Sequence, residues 1–117
     1  MSFYKAIIAI SFSLFLFSCQ PIEEANVRVK NNISNVKVGD LMYGDEYIPG
    51  SIITGDNTGY VTISDERDHW PKTMYLTFYM TANNRTVSLQ TISPYTIDAG
   101  DDLTITLDDN TPVFSPR

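Results

Sequence analysis

The side chains of this sequence that could carry out chemistry are few and scattered. His69 is the single histidine and Cys19 the single cysteine, so neither a cluster of imidazoles nor a disulfide within the chain can form. A serine nucleophile needs a histidine base and a nucleophile elbow or an equivalent arrangement, and no G-x-S-x-G or glycine-rich phosphate loop occurs. His69 lies between Asp68 and Trp70, a setting typical of a solvated loop residue. We therefore expect no enzyme activity and no cofactor.

Carboxylates are the most abundant reactive groups. Those in the predicted loops and at strand ends include Asp68 and four adjacent pairs: Asp45-Glu46, Asp65-Glu66, Asp101-Asp102 and Asp108-Asp109. Calcium prefers six to eight oxygen ligands, and no acidic run here has the spacing of an EF-hand loop. Acidic side chains also keep a small domain soluble and discourage edge pairing. We expect no metal site, and a hydrolase that uses two acidic side chains stays open as an alternative.

Three aromatic residues are the best candidates for contact with a partner. Tyr75 and Tyr79 are predicted on the face of a strand opposite the core, and Trp70 stands in the longest polar loop. Aromatic rings of this kind stack on sugars or anchor protein partners. Cross-strand packing, or closure of one end of the fold by Trp70, would explain the same residues. We take Trp70, Tyr75 and Tyr79 as candidate contacts to a protein or glycan.

The beginning of the chain has the layout of a secretory signal peptide. Lys5 is followed by an apolar run over residues 6–17, which is shorter than the roughly 20 residues of a membrane-spanning helix. Leu16 is too large for the small-residue cleavage pattern of soluble secreted proteins. Leu16-Phe17-Ser18-Cys19 instead resembles the lipobox of bacterial lipoproteins. We predict a signal peptide at 1–18, and a lipidated Cys19 with its tether at 19–25.

Several expectations follow from the lipobox resemblance. Two or more acyl chains on Cys19 would anchor the protein stably to a membrane. Glu23-Glu24 resembles the acidic export signal of surface lipoproteins in the Bacteroidota, which implies the outer membrane and surface exposure. Lys5 leaves with the leader, so seven basic and fourteen acidic residues remain, a formal charge of −7. That charge argues against a nucleic-acid partner.

From residue 26 the hydrophobic period is two, which predicts strands. The strongest runs over residues 73–82, where Leu76 should face the core and Thr77 the opposite side. A hairpin is predicted around Gly100-Asp101. Turns are predicted at 31–35 and at 83–85, where asparagines tolerate left-handed backbone. The eight predicted strands are 26–30, 36–43, 51–54, 60–64, 73–82, 86–93, 95–99 and 103–107.

Seven or eight short strands separated by turns favour an all-β fold, an antiparallel β-sandwich over residues 26–109 followed by a C-terminal tail at 110–117. A small closed barrel is the alternative. The chain resembles small Bacteroidota-type lipoproteins with an Ig-like or transthyretin-like sandwich. That resemblance is carried by the lipobox, the Val27-Arg28-Val29-Lys30-Asn31-Asn32 strand and turn, Pro49-Gly50 and the Tyr95-Thr96-Ile97 hairpin. It implies location and fold, and we expect a non-catalytic binding or structural module, with an adhesion or glycan-binding subunit as the alternative.

Strand parity predicts which turns point away from the membrane. If the strands alternate strictly from a tethered first strand, the turns at 31–35, 55–58, 83–85 and 99–102 lie at the far end. The loop at 65–71, which contains Trp70, then lies at the end nearest the membrane.

The lipobox predicts that Cys19 is acylated. Radiolabelled palmitate should enter the wild-type protein during growth. It should not enter a Cys19→Ala variant, which should be released or remain unprocessed because the acceptor sulfur is missing. Equal labelling of the two proteins would contradict the assignment.

Overall fold

A computed structural model describes residues 21–116, so the predicted signal peptide and Cys19 lie outside the described residues. It confirms an all-β fold. Within residues 21–116, no helix has the length and apolar character needed to cross a membrane. The strands are β1 (Ile22–Asn32), β2 (Lys37–Tyr43), β3 (Glu46–Ile48), β4 (Val61–Glu66), β5 (Lys72–Met74), β6 (Leu76–Ala82), β7 (Arg85–Thr91), β8 (Tyr95–Ile97), β9 (Asp102–Asp108) and β10 (Val113–Phe114), with a 3₁₀ turn at Arg67–His69.

The strands form a sandwich of two main sheets that share one core. The three-stranded sheet has the order β4-β1-β9, the five-stranded sheet the order β10-β7-β6-β2-β3, and β5 and β8 form a small separate ladder. Neighbouring strands are antiparallel except β1 and β9, which run parallel. The core draws on both main sheets; among its buried side chains are Val27, Val29, Leu41, Tyr43, Phe78 and Ile105.

The predicted orientation of the strongest strand is confirmed. Leu76 and Phe78 are buried, whereas Thr77 is half-buried and Tyr79 is exposed. The predicted segment 73–82 is nevertheless divided between two sheets, because β5 pairs with β8 while β6 pairs with β2 and β7. Tyr75 is the single residue that links them, and the chain changes sheets there.

The hairpin predicted around Gly100-Asp101 is wrong. β8 pairs with β5, and β9 pairs with β1. The Gly100 N–H donates to the Glu24 carbonyl (2.7 Å) and the Asn26 N–H to the Asp101 carbonyl (2.8 Å), so this turn carries the chain across to the three-stranded sheet. Alternation indicated which face of a strand such as β6 is buried, but it does not indicate which strand lies beside it.

Regular structure also extends beyond the predicted limits. β1 begins at Ile22, inside the predicted tether, and β10 lies inside the predicted tail. β3 had no counterpart among the predicted strands. The predicted strand at 51–54 is reduced to one bridge between Ile52 and Val38. The two unpredicted edge strands, β3 and β10, are short. Each is stabilised by pairing with a longer strand, because so short a segment would not be stable by itself.

A bulge in β2 corrects its register. The register with β6 shifts between Gly39 and Met42, and Asp40 has a φ of +48°. Strict alternation from Val38 would turn Asp40 into the core. Because the bulge inserts one residue, Leu41 and Tyr43 face inward instead. The Tyr43 hydroxyl then donates to the Tyr95 carbonyl (2.7 Å) and joins β2 to β8.

Most of the turns lie at the end of the sandwich that strand parity predicted for them. Arg67 donates its backbone N–H to the Pro21 carbonyl (3.1 Å), so the 65–71 loop lies at the end where the described chain begins. Lys37 pairs with Thr81, which puts the 31–35 and 83–85 turns at the opposite end. The 99–102 turn was wrongly predicted there, since Gly100 contacts Glu24 near the start of β1.

Asn31 is a fully buried polar residue at the end of β1. Its Nδ2 donates to the carbonyls of Val36 (3.0 Å) and Ile52 (3.0 Å), and its Oδ1 accepts from the Ile33 N–H (3.0 Å). One side chain thereby satisfies three backbone groups where the chain crosses from one sheet to the other. Buried backbone groups left without partners are costly.

Replacing Asn31 with alanine should therefore be strongly destabilising. We expect Asn31→Ala to lower the free energy of unfolding by about 3 kcal/mol, because three hydrogen bonds are lost: the Ile33 N–H loses its acceptor, and the Val36 and Ile52 carbonyls each lose one of their two donors. The adjacent Asn32 is exposed, and Asn32→Ala should change stability by less than about 0.5 kcal/mol. Urea denaturation measures both, and equal midpoints would contradict the role of Asn31.

Candidate binding surface

The exposed side of the five-stranded sheet, called here the outer face, brings together residues that are distant in sequence. Directly paired residues share a face. Thr77 pairs with Met42 and Gln90, so these side chains lie on the same side as exposed Tyr79. Tyr47 pairs with Met42 and Phe114 with Gln90, which extends the row to both edges of the sheet. Tyr47 and Phe114 are 53% and 43% exposed.

Tyr79 stands at the centre of the outer face and is 45% exposed. It pairs with Gly39 on one side and Ser88 on the other. Shallow grooves of about 530 and 540 Å³ lie on either side, and Tyr79 and Thr86 line both. These volumes are within the range of small-ligand sites, roughly 300–1,000 Å³. The first groove is also lined by Lys37, Gly39, Asp40, Tyr47, Gly50, Ser51 and Thr81, and the second by Val87, Ser88, Ser115 and Pro116.

The outer face carries little charge, although the protein is acidic. Of the fourteen acidic residues in the chain, Asp40 alone lines either groove. Lys37 is the one basic residue in the same lining. The remaining groups are aromatic rings, hydroxyls, glycines and aliphatic side chains, with the Gln90 amide close by. Such a surface can contact a ligand by ring stacking and by neutral hydrogen bonds.

The structure separates the three predicted contact residues. Tyr79 belongs to the outer face. Tyr75 is 45% exposed but lies in the link between β5 and β6. Trp70 packs against the core at the end of the sandwich where the described residues begin, and its Nε1 donates to the Asp65 carbonyl (3.3 Å). Trp70 therefore closes that end, as the alternative interpretation held.

Sequence reasoning missed Tyr47 and Phe114 because their strands were not predicted. Tyr47 stands in a three-residue strand within a polar connection, and Phe114 in a two-residue strand within a presumed tail. An alternating pattern cannot be recognised over so few residues. The only available signal was an isolated aromatic residue near a turn or the end of the chain.

A second group of polar residues surrounds Asp65 at the end of the sandwich where the described residues begin. The Asp65 carboxylate binds the Lys72 ammonium and lies 2.7 Å from His69 Nδ1. The Lys72 and His69 contacts, with the Glu66 N–H, hold the pKa of Asp65 well below its ordinary range. The hydrogen bond to Asp65 raises the pKa of His69. Lys72 Nζ also lies 5.6 Å from the centre of the Trp70 ring.

This group does not form an active-site cleft. The adjacent cavity has a volume of about 90 Å³, and its lining includes Asp45, Glu46, Asp65 and Lys72. That volume is below the roughly 300 Å³ of the smallest ordinary ligand sites. Among residues 21–116, no three His, Cys, Asp or Glu side chains are grouped so that they could hold a metal ion. A hydrolase that uses acidic residues gains no support from this geometry.

In comparisons with protein-family models, curated proteins and solved structures, none matches this chain. The outer face has two grooves whose volumes are within the range of small-ligand sites.

The contact between His69 and Asp65 predicts a pH dependence. A histidine whose pKa is raised on folding stabilises the fold below its unfolded pKa of 6.5, and loses that contribution as pH rises through the folded pKa. Asp65, whose pKa is lowered, contributes above 3.8 and loses its effect as pH falls through the folded value. The contact is therefore strongest between pH 3.8 and 6.5.

The imidazole titration followed by NMR tests this pairing. The pKa of His69 should lie above 6.5 in the wild type. Asp65→Asn should bring the pKa of His69 back toward that value. Asp68→Asn is the matched control, because Asp68 is exposed in the same loop and is not among the groups that raise the pKa of His69. Identical curves for the wild type and Asp65→Asn would exclude the pairing in solution.

Proposed function

We propose that this protein is a lipid-anchored, non-catalytic glycan-binding module of the bacterial cell envelope, and that its outer face holds the ligand. The observation that carries the proposal is the position of Tyr79, an exposed ring between two nearly neutral grooves. Tyr47 adds a second ring to one of these grooves.

The chemistry of this face matches that of a neutral sugar chain. A pyranose ring presents patches of C–H groups, which stack on aromatic faces, and an edge of hydroxyls, which exchange hydrogen bonds. Threonine and serine hydroxyls donate and accept, and the Gln90 amide does both. An acidic glycan would find one lysine and one aspartate in the grooves, whereas a neutral glycan needs no charged partner.

The lipobox resemblance supplies the anchoring part of the proposal. β1 begins at Ile22, so only two residues separate the structured domain from Cys19. Three peptide units span at most about 11 Å, which would hold the domain close to the lipid. The outer face is a side of the sandwich, and its strands run between the anchored end and the far end. A long polymer could therefore contact it without passing beneath the domain.

Truncation of Tyr79 tests the outer face. Soluble glucans, mannans, xylans and galactans are suitable probes in affinity electrophoresis with the full chain in detergent. We expect at least one to bind, and Tyr79→Ala should weaken that binding about tenfold because a stacked ring contributes roughly 1 kcal/mol or more. Tyr79→Phe should retain most of the affinity.

Tyr60→Ala is the matched control. Tyr60 is 46% exposed, close to the exposure of Tyr79, but it packs beneath Arg28 of the three-stranded sheet, with 4.5 Å between the guanidinium carbon and the ring centre. Its loss should change binding by less than twofold. Failure of all four polysaccharides to bind, or an equal effect of the two tyrosine truncations, would reject the proposal.

A further inference from the structure

β9 has one edge that pairs with no other strand in the part of the chain that the structure describes. It stands at the end of the three-stranded sheet and pairs there with β1 alone. The Asn26 N–H donates to the Asp101 carbonyl. Because backbone groups alternate sides along a parallel ladder, the N–H and C=O of Thr104 and Thr106 point away from β1. Asp108 follows the same pattern, and its N–H donates to the Thr111 hydroxyl (2.9 Å).

An apolar crevice between the two main sheets opens beside this edge. Its volume is about 190 Å³. An apolar cavity of about 150 Å³ takes up a benzene-sized guest, so the crevice has room for one leucine- or phenylalanine-sized side chain. Apolar residues from both sheets and from the turn after β1 form most of the lining: Ile33, Phe78, Met80, Leu89, Leu107 and Val113.

Carboxylates stand at both ends of the same edge. Asp102 begins β9 and Asp108 ends it, with Asp109 next in the chain. The two ends of the strand are about 20 Å apart at the usual rise per residue. Between them the sequence of β9 alternates apolar and threonine residues, so the strand itself carries no charge there, although Arg28 of β1 donates from Nε to the Thr104 hydroxyl (3.0 Å).

These charges disfavour a second copy of the chain as the occupant. Antiparallel pairing of two β9 strands about Ile105 would place Asp102 opposite Asp108 of the other copy. Parallel pairing in register would place each aspartate opposite its equivalent. Like charges directly opposite each other are destabilising in either arrangement. A strand with positive charges near both ends complements this edge.

We propose that an extended segment of a partner protein, with alternating apolar residues and Lys or Arg at both ends, adds to β9 as a further strand. Its backbone would pair with Thr104 and Thr106, one apolar side chain would enter the crevice, and its cations would meet Asp102 and Asp108. Strand addition of this kind obtains affinity from main-chain hydrogen bonds and specificity from pockets for alternate side chains. This site is on a different part of the sandwich from the outer face and does not depend on the proposed glycan binding.

A fluorescently labelled peptide of sequence Lys-Val-Thr-Leu-Thr-Val-Lys is the probe, with the full chain in detergent micelles. We expect the fluorescence anisotropy of the peptide to rise to a plateau as the protein concentration increases. Bound peptide should also slow hydrogen exchange at the amides of Thr104 and Thr106. Asp102→Lys should lower the affinity for this peptide about fivefold. It should raise the affinity for a Glu-ended version by a similar factor, as expected when one charge pair at the rim is reversed. Asp68→Lys makes the same charge change in an exposed loop and should alter neither affinity.

Three results would overturn the proposal. The first is no saturable binding of the Lys-ended peptide, or equal binding of the Lys- and Glu-ended peptides. The second is exchange protection on the outer face in place of Thr104 and Thr106. The third is protection of these two amides by raised protein concentration alone, which would identify a second copy of the chain as the occupant. Charge reversal with a compensating peptide keeps the test independent of folding, because a misfolded variant would bind neither peptide.

Discussion

The inward row of β1 and the asparagine that ends it are the constraint on which the rest of the structure depends. Ala25, Val27 and Val29 alternate into the core, and Asn31 takes the next inward position. The apolar members place β1 between β4 and β9. Asn31 satisfies the backbone of the turn through which the chain reaches the second sheet. A purely apolar residue there would continue the pattern, but it would leave the Ile33 N–H without this acceptor and remove one donor from each of the Val36 and Ile52 carbonyls.

Two further buried polar residues, Thr58 and Thr91, serve the same purpose where the strand pattern is interrupted. The Thr58 hydroxyl accepts from the Val29 N–H (3.0 Å), and the Thr91 hydroxyl accepts from the Leu76 N–H (3.2 Å). Each supplies an acceptor next to an irregular segment. Within residues 21–116, no buried side-chain nitrogen or oxygen lacks a hydrogen-bond partner. A small domain without a disulfide depends on such complete pairing, because it has little surplus stability.

The distribution of charge separates the surfaces of the molecule. Carboxylates lie at the two ends of the sandwich, including the ends of β9. Among the described residues that line the two outer-face grooves, Asp40 is the only carboxylate. Tyr79 also lies opposite Gly39, and an aromatic side chain beside a strand glycine covers exposed backbone. The ring can therefore support the sheet and remain half exposed for a ligand. The two proposed contacts are chemically distinct, since one is neutral and aromatic and the other is a backbone edge between negative charges.

The sequence by itself determined what depends on neighbours in the chain. Alternation correctly placed Leu76 in the core and Thr77 nearer the surface, and the asparagines at 83 and 84 indicated the turn whose backbone has positive φ at both positions. Tertiary structure alone decided which strands are neighbours. The parallel pairing of β9 with β1, the change of sheet at Tyr75 and the bulge at Asp40 all depend on long-range contacts. An alternating segment can pair with any suitable edge, so Tyr47, Tyr79 and Phe114 form one surface only because the five strands of this sheet are ordered as they are.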